Sequence, residues 1–182
     1  MKESAIVVPY DESWPEEFRA IGSKLRSALG DEAVRIDHIG STAVPGLDAK
    51  PIIDIQISVR ALEPMTYKGG LEAAGYVHRA DNPDRTKRYF REGPGLKRTH
   101  IHVREAGSWS EQFALLFRDF LKAHNEYREL YVREKYTLVR RYSRPHEREL
   151  YVEGKDPVIW RIMREASGWS QRTGWKPEAG DA

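Results

Sequence analysis

Two short stretches hold residues able to do chemistry. Asp54 interrupts an otherwise apolar run, "PIIDIQISV", and His100 and His102 form a His-x-His pair in "RTHIHV". Side chains of a strand alternate between its faces. Over residues 52–59 one face carries Ile53, Ile55, Ile57 and Val59, and the other carries Ile52, Asp54, Gln56 and Ser58. Over residues 98–104, Ile101 and Val103 oppose Arg98, His100, His102 and Arg104. Aspartate is disfavoured in strands and costly to bury without compensation, so Asp54 reads as functional. The arginines alone read as solvent-facing positions of a sheet. If the two strands share a sheet with these faces aligned, Asp54, Gln56, His100, His102 and two arginines converge on one cleft. One carboxylate and two imidazoles are also a ligand set for a transition metal.

A second signal precedes the aspartate. "GSTAVPG" follows a short strand, and its turn exposes backbone N–H groups beside the Ser41 hydroxyl, a cradle for phosphate oxygens. Alone, Gly40–Ser41 is an ordinary turn. The combination carries more: strand, Gly-Ser turn, thirteen residues from Ser41 to Asp54, and a carboxylate on the next strand. Residues 79–104 hold eight Lys or Arg against three acids, which points to an anionic ligand nearby or to a solvated basic edge.

The elements that must position these residues are set by periodicity. Residues 6–8 read as a short strand, Pro15 opens a helix that Gly30 ends, and residues 34–39 form a strand before the turn at 40–46. Residues 52–59 are the clearest strand, and 65–74 a helix weakened by Gly69 and Gly70. Val77 marks a strand, and residues 87–91 and 98–104 a hairpin around "EGPG". After Ser108 the period becomes helical. Phe113, Leu116, Phe117, Phe120 and Leu121 share one face, a second helix carries Tyr127, Leu130, Tyr131 and Leu138, and a third carries Val158, Ile162 and Ala166. The Phe113, Phe117 and Phe120 stripe is expected as core against the α/β part. Residues 1–168 are expected as one domain, an α/β part (1–107) and a helical part (108–168). Residues 169–182 lack periodicity and are expected as a flexible tail, with Trp169 and Trp175 as candidate anchors.

Composition narrows the classes. The 182 residues are 40% hydrophobic and 32% charged, with no cysteine, which excludes disulfides and thiolate metal sites. No stretch is long and apolar enough for a membrane span, and the start lacks the apolar core of a signal peptide. The expectation is a cytoplasmic protein. A net charge of +2 argues against a general nucleic-acid binder.

The segments "VVPYDESWPEEF", "IDHIGSTAVPGLDAKPIIDIQI", "RTHIHV", "FRDFLKAHNEYRELYVREK" and "YVEGKDPVIWRIM" resemble the GrpB (UPF0157) family over about residues 5–168. The strand, Gly-Ser turn and strand aspartate are similar to the nucleotidyltransferase superfamily, the fold of DNA polymerase beta. The resemblance implies an α+β fold, a mixed sheet flanked by helices with a helical C-terminal half. It also implies a nucleoside triphosphate such as ATP, bound with Mg²⁺, and a small-molecule acceptor. Residue by residue, Gly40 and Ser41 match the phosphate-gripping turn, with Lys50 and Arg98 as further phosphate ligands. Asp54 matches the first metal-binding carboxylate. Gln56 stands where the pattern has a second acid, and His100 or His102 where it has a third. Tyr131, Lys135, Tyr151 and Lys155 match a family pattern in the helices and would roof the cleft. Three readings stay open: nucleotidyl transfer or ATP-dependent ligation with Asp54, His100 and His102 catalytic; a non-catalytic nucleotide-binding module; and a transition-metal enzyme using those same three residues.

Overall fold

A computed structural model describes residues 6–182 of the chain. Its centre is a five-stranded mixed sheet, β1 (Arg35–Ile39), β2 (Ile53–Val59), β3 (Tyr76–His78), β4 (Arg88–Glu92) and β5 (Thr99–Glu105), in the order β1-β2-β5-β4-β3. Only β2 and β5 run parallel to each other; the other neighbours are antiparallel. The β4–β5 hairpin lies where the sequence places it.

Two helices cover one face, α1 (Trp14–Leu29) and α2 (Lys68–Ala73). Pro15 occupies the first turn of α1, where its missing N–H costs nothing. Against these helices Ile53, Ile55, Ile57 and Val59 of β2 pack with Ile101 and Val103 of β5, all at most 2% exposed. Burying each such side chain contributes about 2 kcal/mol, which fixes which face of β2 looks away from them. Helix α2 is shorter than the sequence suggests because Gly69 and Gly70 are poor helix formers. Gly70 is also where α2 meets α1: a Cβ there would lie 2.9 Å from Ala28 O.

The helical half holds α3 (Trp109–Ala123), α4 (Asn125–Arg141), α5 (Arg148–Glu153) and α6 (Asp156–Thr173). The Ser108 side chain caps α3 by accepting from Glu111 N. Phe120, Leu116, Leu121, Tyr131 and Ile162 make a second core with Val44 and Leu47 from the loop after the Gly-Ser turn. The phenylalanine stripe therefore packs mainly among helices and that loop, with Phe113 and Phe117 only partly buried. A groove between α3 and α6 leaves Trp109 and Trp160 largely exposed.

Two expectations are corrected. Of residues 6–8 only Val8 pairs, in an isolated antiparallel bridge with Ala49. The segment 169–182 is docked: α6 runs to Thr173, Trp175 Nε1 donates to Asp119 Oδ2, and Ala182 N donates to Ile36 O. Asp181 accepts from His38 N and from buried Arg118 at 2.9 Å each. These anchors are long-range contacts of individual residues, so no periodicity announces them.

His38, on β1, is 6% exposed and stacked on Phe18. The Thr42 hydroxyl donates to Ile52 O, so His38 Nε2 donates to Thr42. Burial pushes the His38 pKa from 6.5 down to about 4. The unfolded chain therefore takes this proton more readily between those values, and stability present above pH 6.5 is lost as pH falls towards 4. The loss from His38 is about 3 kcal/mol. Urea melts of wild type and His38→Gln at pH 7 and 4.5 are expected to differ far less at the lower pH. An unchanged difference would show that His38 does not titrate this way.

Candidate functional site

Parallel pairing sets Asp54 opposite His100 and Gln56 opposite His102, so all four side chains leave the sheet on the same face. His100 Nδ1 and His102 Nε2 each lie 3.2 Å from Asp54 Oδ1. Tyr89, from neighbouring β4, sets its ring against both imidazoles, with centroids 5.6 and 5.4 Å away. Each imidazole leaves its other nitrogen, His100 Nε2 and His102 Nδ1, buried and without a hydrogen-bond partner. Burial alone would raise the Asp54 pKa. The bonds from His100 and His102 outweigh it and hold the carboxyl well below its usual range. Burial pushes His102 down to about 4, against the pull of Asp54. At neutral pH the centre is a carboxylate with a neutral His102.

The Gly-Ser turn closes on this carboxylate. Gly40 has φ +71°, and a Cβ there would sit 2.8 Å from Asp54 Oδ2. Both the backbone angle and the contact exclude a larger residue. Beyond the turn, the loop is stapled from two sides: Tyr10 N donates to Asp48 Oδ1, and Tyr136 OH to Asp48 Oδ2. The Val8–Ala49 bridge lies beside it, so Lys50 leaves a fixed backbone.

The helices supply the opposite wall. Tyr131 and Lys135 are four residues apart on one face of α4, both buried. Lys135 Nζ donates to Ser41 Oγ at 3.2 Å and also to Asp48 O. Lys50 and Lys155 flank the Tyr151 ring at 4.2 and 5.1 Å, and Lys135 lies 4.7 Å from the Tyr131 ring. A cavity of about 320 Å³ brings together Ser41, Lys50, Asp54, His100, His102, Tyr131, Lys135, Arg148, Tyr151 and Lys155. Burial, reinforced by Lys155, lowers Lys50 to about 8 and Lys135 to about 7. Burial also lowers Lys155, with Asp54 opposing.

Two sequence expectations fail here. Gln56 does not reach the cavity: it is fully buried, accepts from Arg104 Nη1 at 2.6 Å and donates to Glu111 O. On that face of β2 Asp54 opens to the cavity, whereas Gln56 is tied to the start of α3 by its bond to Glu111 O. Arg98 does not line the cavity either; its guanidinium lies 3.7 Å from Glu92. The basic strip at 79–104 is largely neutralised by acids inside and outside it, with Lys87 on Asp84, Arg91 on Glu92, Arg88 on Glu63 and Lys97 on Glu17. The uncompensated positive charge comes instead from Lys50, Lys135, Arg148 and Lys155. Sequence reasoning misses Arg148. Its place three residues before Tyr151 on α5 is the available signal.

The donor set does not suit the pair of Mg²⁺ ions that the superfamily resemblance implies. Mg²⁺ prefers oxygen ligands, and the site offers one carboxylate, two imidazoles and an amide turned away.

A family profile described as "GrpB protein" matches residues 4–165. A UPF0157 protein of Pseudomonas aeruginosa is 42% identical over 165 residues, covering 88% of this chain and 66% of its own length. A dephospho-CoA kinase of Mycobacterium tuberculosis is 35% identical over 199 residues, covering 95% of this chain and 48% of its own. The chain thus spans about half to two thirds of these relatives. The crystal structure of the conserved protein GrpB from Enterococcus faecalis superposes with a TM-score of 0.78 at 32% identity, over 88% of this chain and 96% of that one. A cytoplasmic RNA terminal U-transferase superposes with a TM-score of 0.52 at 12% identity, over 75% of this chain and 42% of that one. That second likeness concerns the fold, which is nucleotidyltransferase-like.

Gly40→Ala tests the close approach. The substitution is expected to destabilise the protein by about 1–3 kcal/mol and to displace the Asp54 side chain. A melting curve and a histidine NMR spectrum read both effects. A variant with wild-type stability and unshifted His100 and His102 resonances would show that the turn does not press on Asp54.

Proposed function

The chain belongs to the GrpB family, and we propose that it binds a nucleoside triphosphate in the Ser41–Asp54 cavity and transfers the nucleotidyl group to a small-molecule acceptor. One observation carries this reading: four cationic side chains and the Gly-Ser turn face a single carboxylate within one cavity. Such an excess of positive charge suits a polyanion, and the turn suits its phosphate oxygens. Lys50, Lys135, Lys155 and Ser41 hold the phosphates. The acceptor hydroxyl attacks the α-phosphorus, the bond to the bridging oxygen breaks, and pyrophosphate leaves against the lysines. The acceptor's proton is taken up at Asp54, the carboxylate that opens to the cavity. ATP is the first nucleotide to test, and ATP-dependent ligation is a variant of the same chemistry. A small acceptor is favoured because the basic strip that a nucleic acid would use is paired with acids. The kinase activity named for the mycobacterial relative is not carried over, since the chain spans 48% of that protein.

A second reading, a non-catalytic nucleotide-binding module, is favoured by Gln56: the second acid of the pattern is absent and its amide is packed away from the cavity. Asp54→Asn separates the two. It keeps the oxygen that the imidazoles contact and removes the charge. If the protein transfers nucleotidyl groups, transfer of the label from α-labelled ATP to members of a small-molecule library is expected to fall about 100-fold or more, on the order of 3 kcal/mol, with little change in melting temperature. A binding module has no turnover to lose, and its nucleotide affinity would hold or rise. A variant that melts far below wild type would make Asp54 a structural hub instead.

Lys135 gives the pH dependence. With its pKa at about 7 in the free protein, a bound triphosphate draws a proton onto it. Affinity for a non-hydrolysable ATP analogue is expected to be highest below pH 7 and to decline as pH rises, by up to about tenfold per unit. Calorimetry in buffers of different ionisation enthalpy is expected to show proton uptake, abolished in Lys135→Ala. Binding that is flat from pH 6.5 to 8.5 would remove Lys135 from the phosphate site.

A further inference from the structure

We propose that Asp54, His100 and His102 form a binding site for a single divalent transition-metal ion, of the zinc or cobalt class, in place of the superfamily's carboxylate-bound magnesium pair. Among the described residues they are the one group of three metal-ligating side chains whose donor atoms all lie within 4.8 Å of one another. The 3.2 Å separations of Asp54 Oδ1 from His100 Nδ1 and His102 Nε2 have the right scale. Two ligands each about 2.1 Å from a shared ion stand roughly 3–3.5 Å apart. In the metal-free form the two ring N–H groups fill that space, so a metal would replace protons and not displace packed atoms.

Two further observations support the assignment. The second nitrogen of each ring is buried with no partner, so no protein group locks either imidazole in the tautomer that points its N–H at Asp54. Parallel β2 and β5 are central strands of the sheet, so all three residues ride on rigid backbone. The donor types then select the ion. Imidazole nitrogen suits zinc and its neighbours, whereas magnesium demands oxygen. Asp54 remains 29% exposed towards the cavity, the side from which a phosphate oxygen would complete the coordination. This last step rests on the nucleotide reading; the metal site itself does not.

The test uses the tag-free full chain after dialysis against a chelator. Co²⁺ is titrated in while its visible absorption is followed, then Zn²⁺ and Mg²⁺ are added as competitors. One equivalent of Co²⁺ is expected to bind, with Zn²⁺ displacing it and millimolar Mg²⁺ failing to. His100→Ala and His102→Ala are each expected to weaken binding by about 100-fold or more, with melting curves checking that they fold. Lys135→Ala is expected to keep Co²⁺ affinity while binding the nucleotide analogue more weakly, so a failure of the metal site and a failure of the nucleotide reading give different results. Absence of Co²⁺ binding to wild type overturns the proposal whatever the variants do. So do binding that survives both histidine substitutions and competition by Mg²⁺ as effective as by Zn²⁺.

Discussion

The site depends on the parallel pairing of β2 with β5. Register puts an aspartate opposite a histidine on the one edge of the sheet face that stays open. The isoleucines of β2 set that register's orientation, because a slip of one residue would drive Asp54 into the α1–α2 core and expose Ile53 and Ile55. Moving a carboxylate out of water costs several kcal/mol. Two imidazoles on one oxygen and a residual opening to the cavity offset that cost. Gly40 then lets the Gly-Ser turn close on the same group. Sheet packing, turn conformation and side-chain protonation are thus one linked arrangement.

The two halves of the chain contribute opposite charges to it. The sheet brings the carboxylate, and the helices with the stapled 47–50 loop bring the lysines. Ser41 joins them, since its hydroxyl receives Lys135 while its turn abuts Asp54. Burial, and after it the neighbouring Lys155, makes Lys50 and Lys135 hold their protons less tightly than free lysines. An anionic ligand offsets the repulsion among these lysines. The proposed triphosphate would meet the cavity's charges in this way.

Much of this was legible in the sequence where periodicity carried it. Alternation in "PIIDIQISV" and "RTHIHV" assigned Asp54, His100 and His102 to one side, and the helical period marked α3, α4 and α6. What failed had no periodic signature. Gln56 has the right parity for the cleft, but its bond to Glu111 O at the start of α3 is a tertiary fact, and it holds the amide away from the cavity. Arg98 has the right face too, yet Glu92 claims it. Counting charges along residues 79–104 pointed to the wrong surface, because the acids that neutralise the strip include Glu63 from elsewhere in the chain. Asp181 and Ala182 are held by long-range bonds that no local pattern encodes.

The central claim is that triphosphate and Asp54 meet in one cavity. A crystal structure of the protein with a non-hydrolysable nucleoside triphosphate analogue tests it most directly. The account predicts phosphate oxygens within hydrogen-bond distance of Ser41 Oγ and of Lys135 Nζ, with the α-phosphate nearest Asp54 and the His100–His102 pair. A nucleotide lying instead in the apolar groove between Trp109 and Trp160, with the Ser41–Lys135 contact intact and the lysine cavity empty, would contradict it.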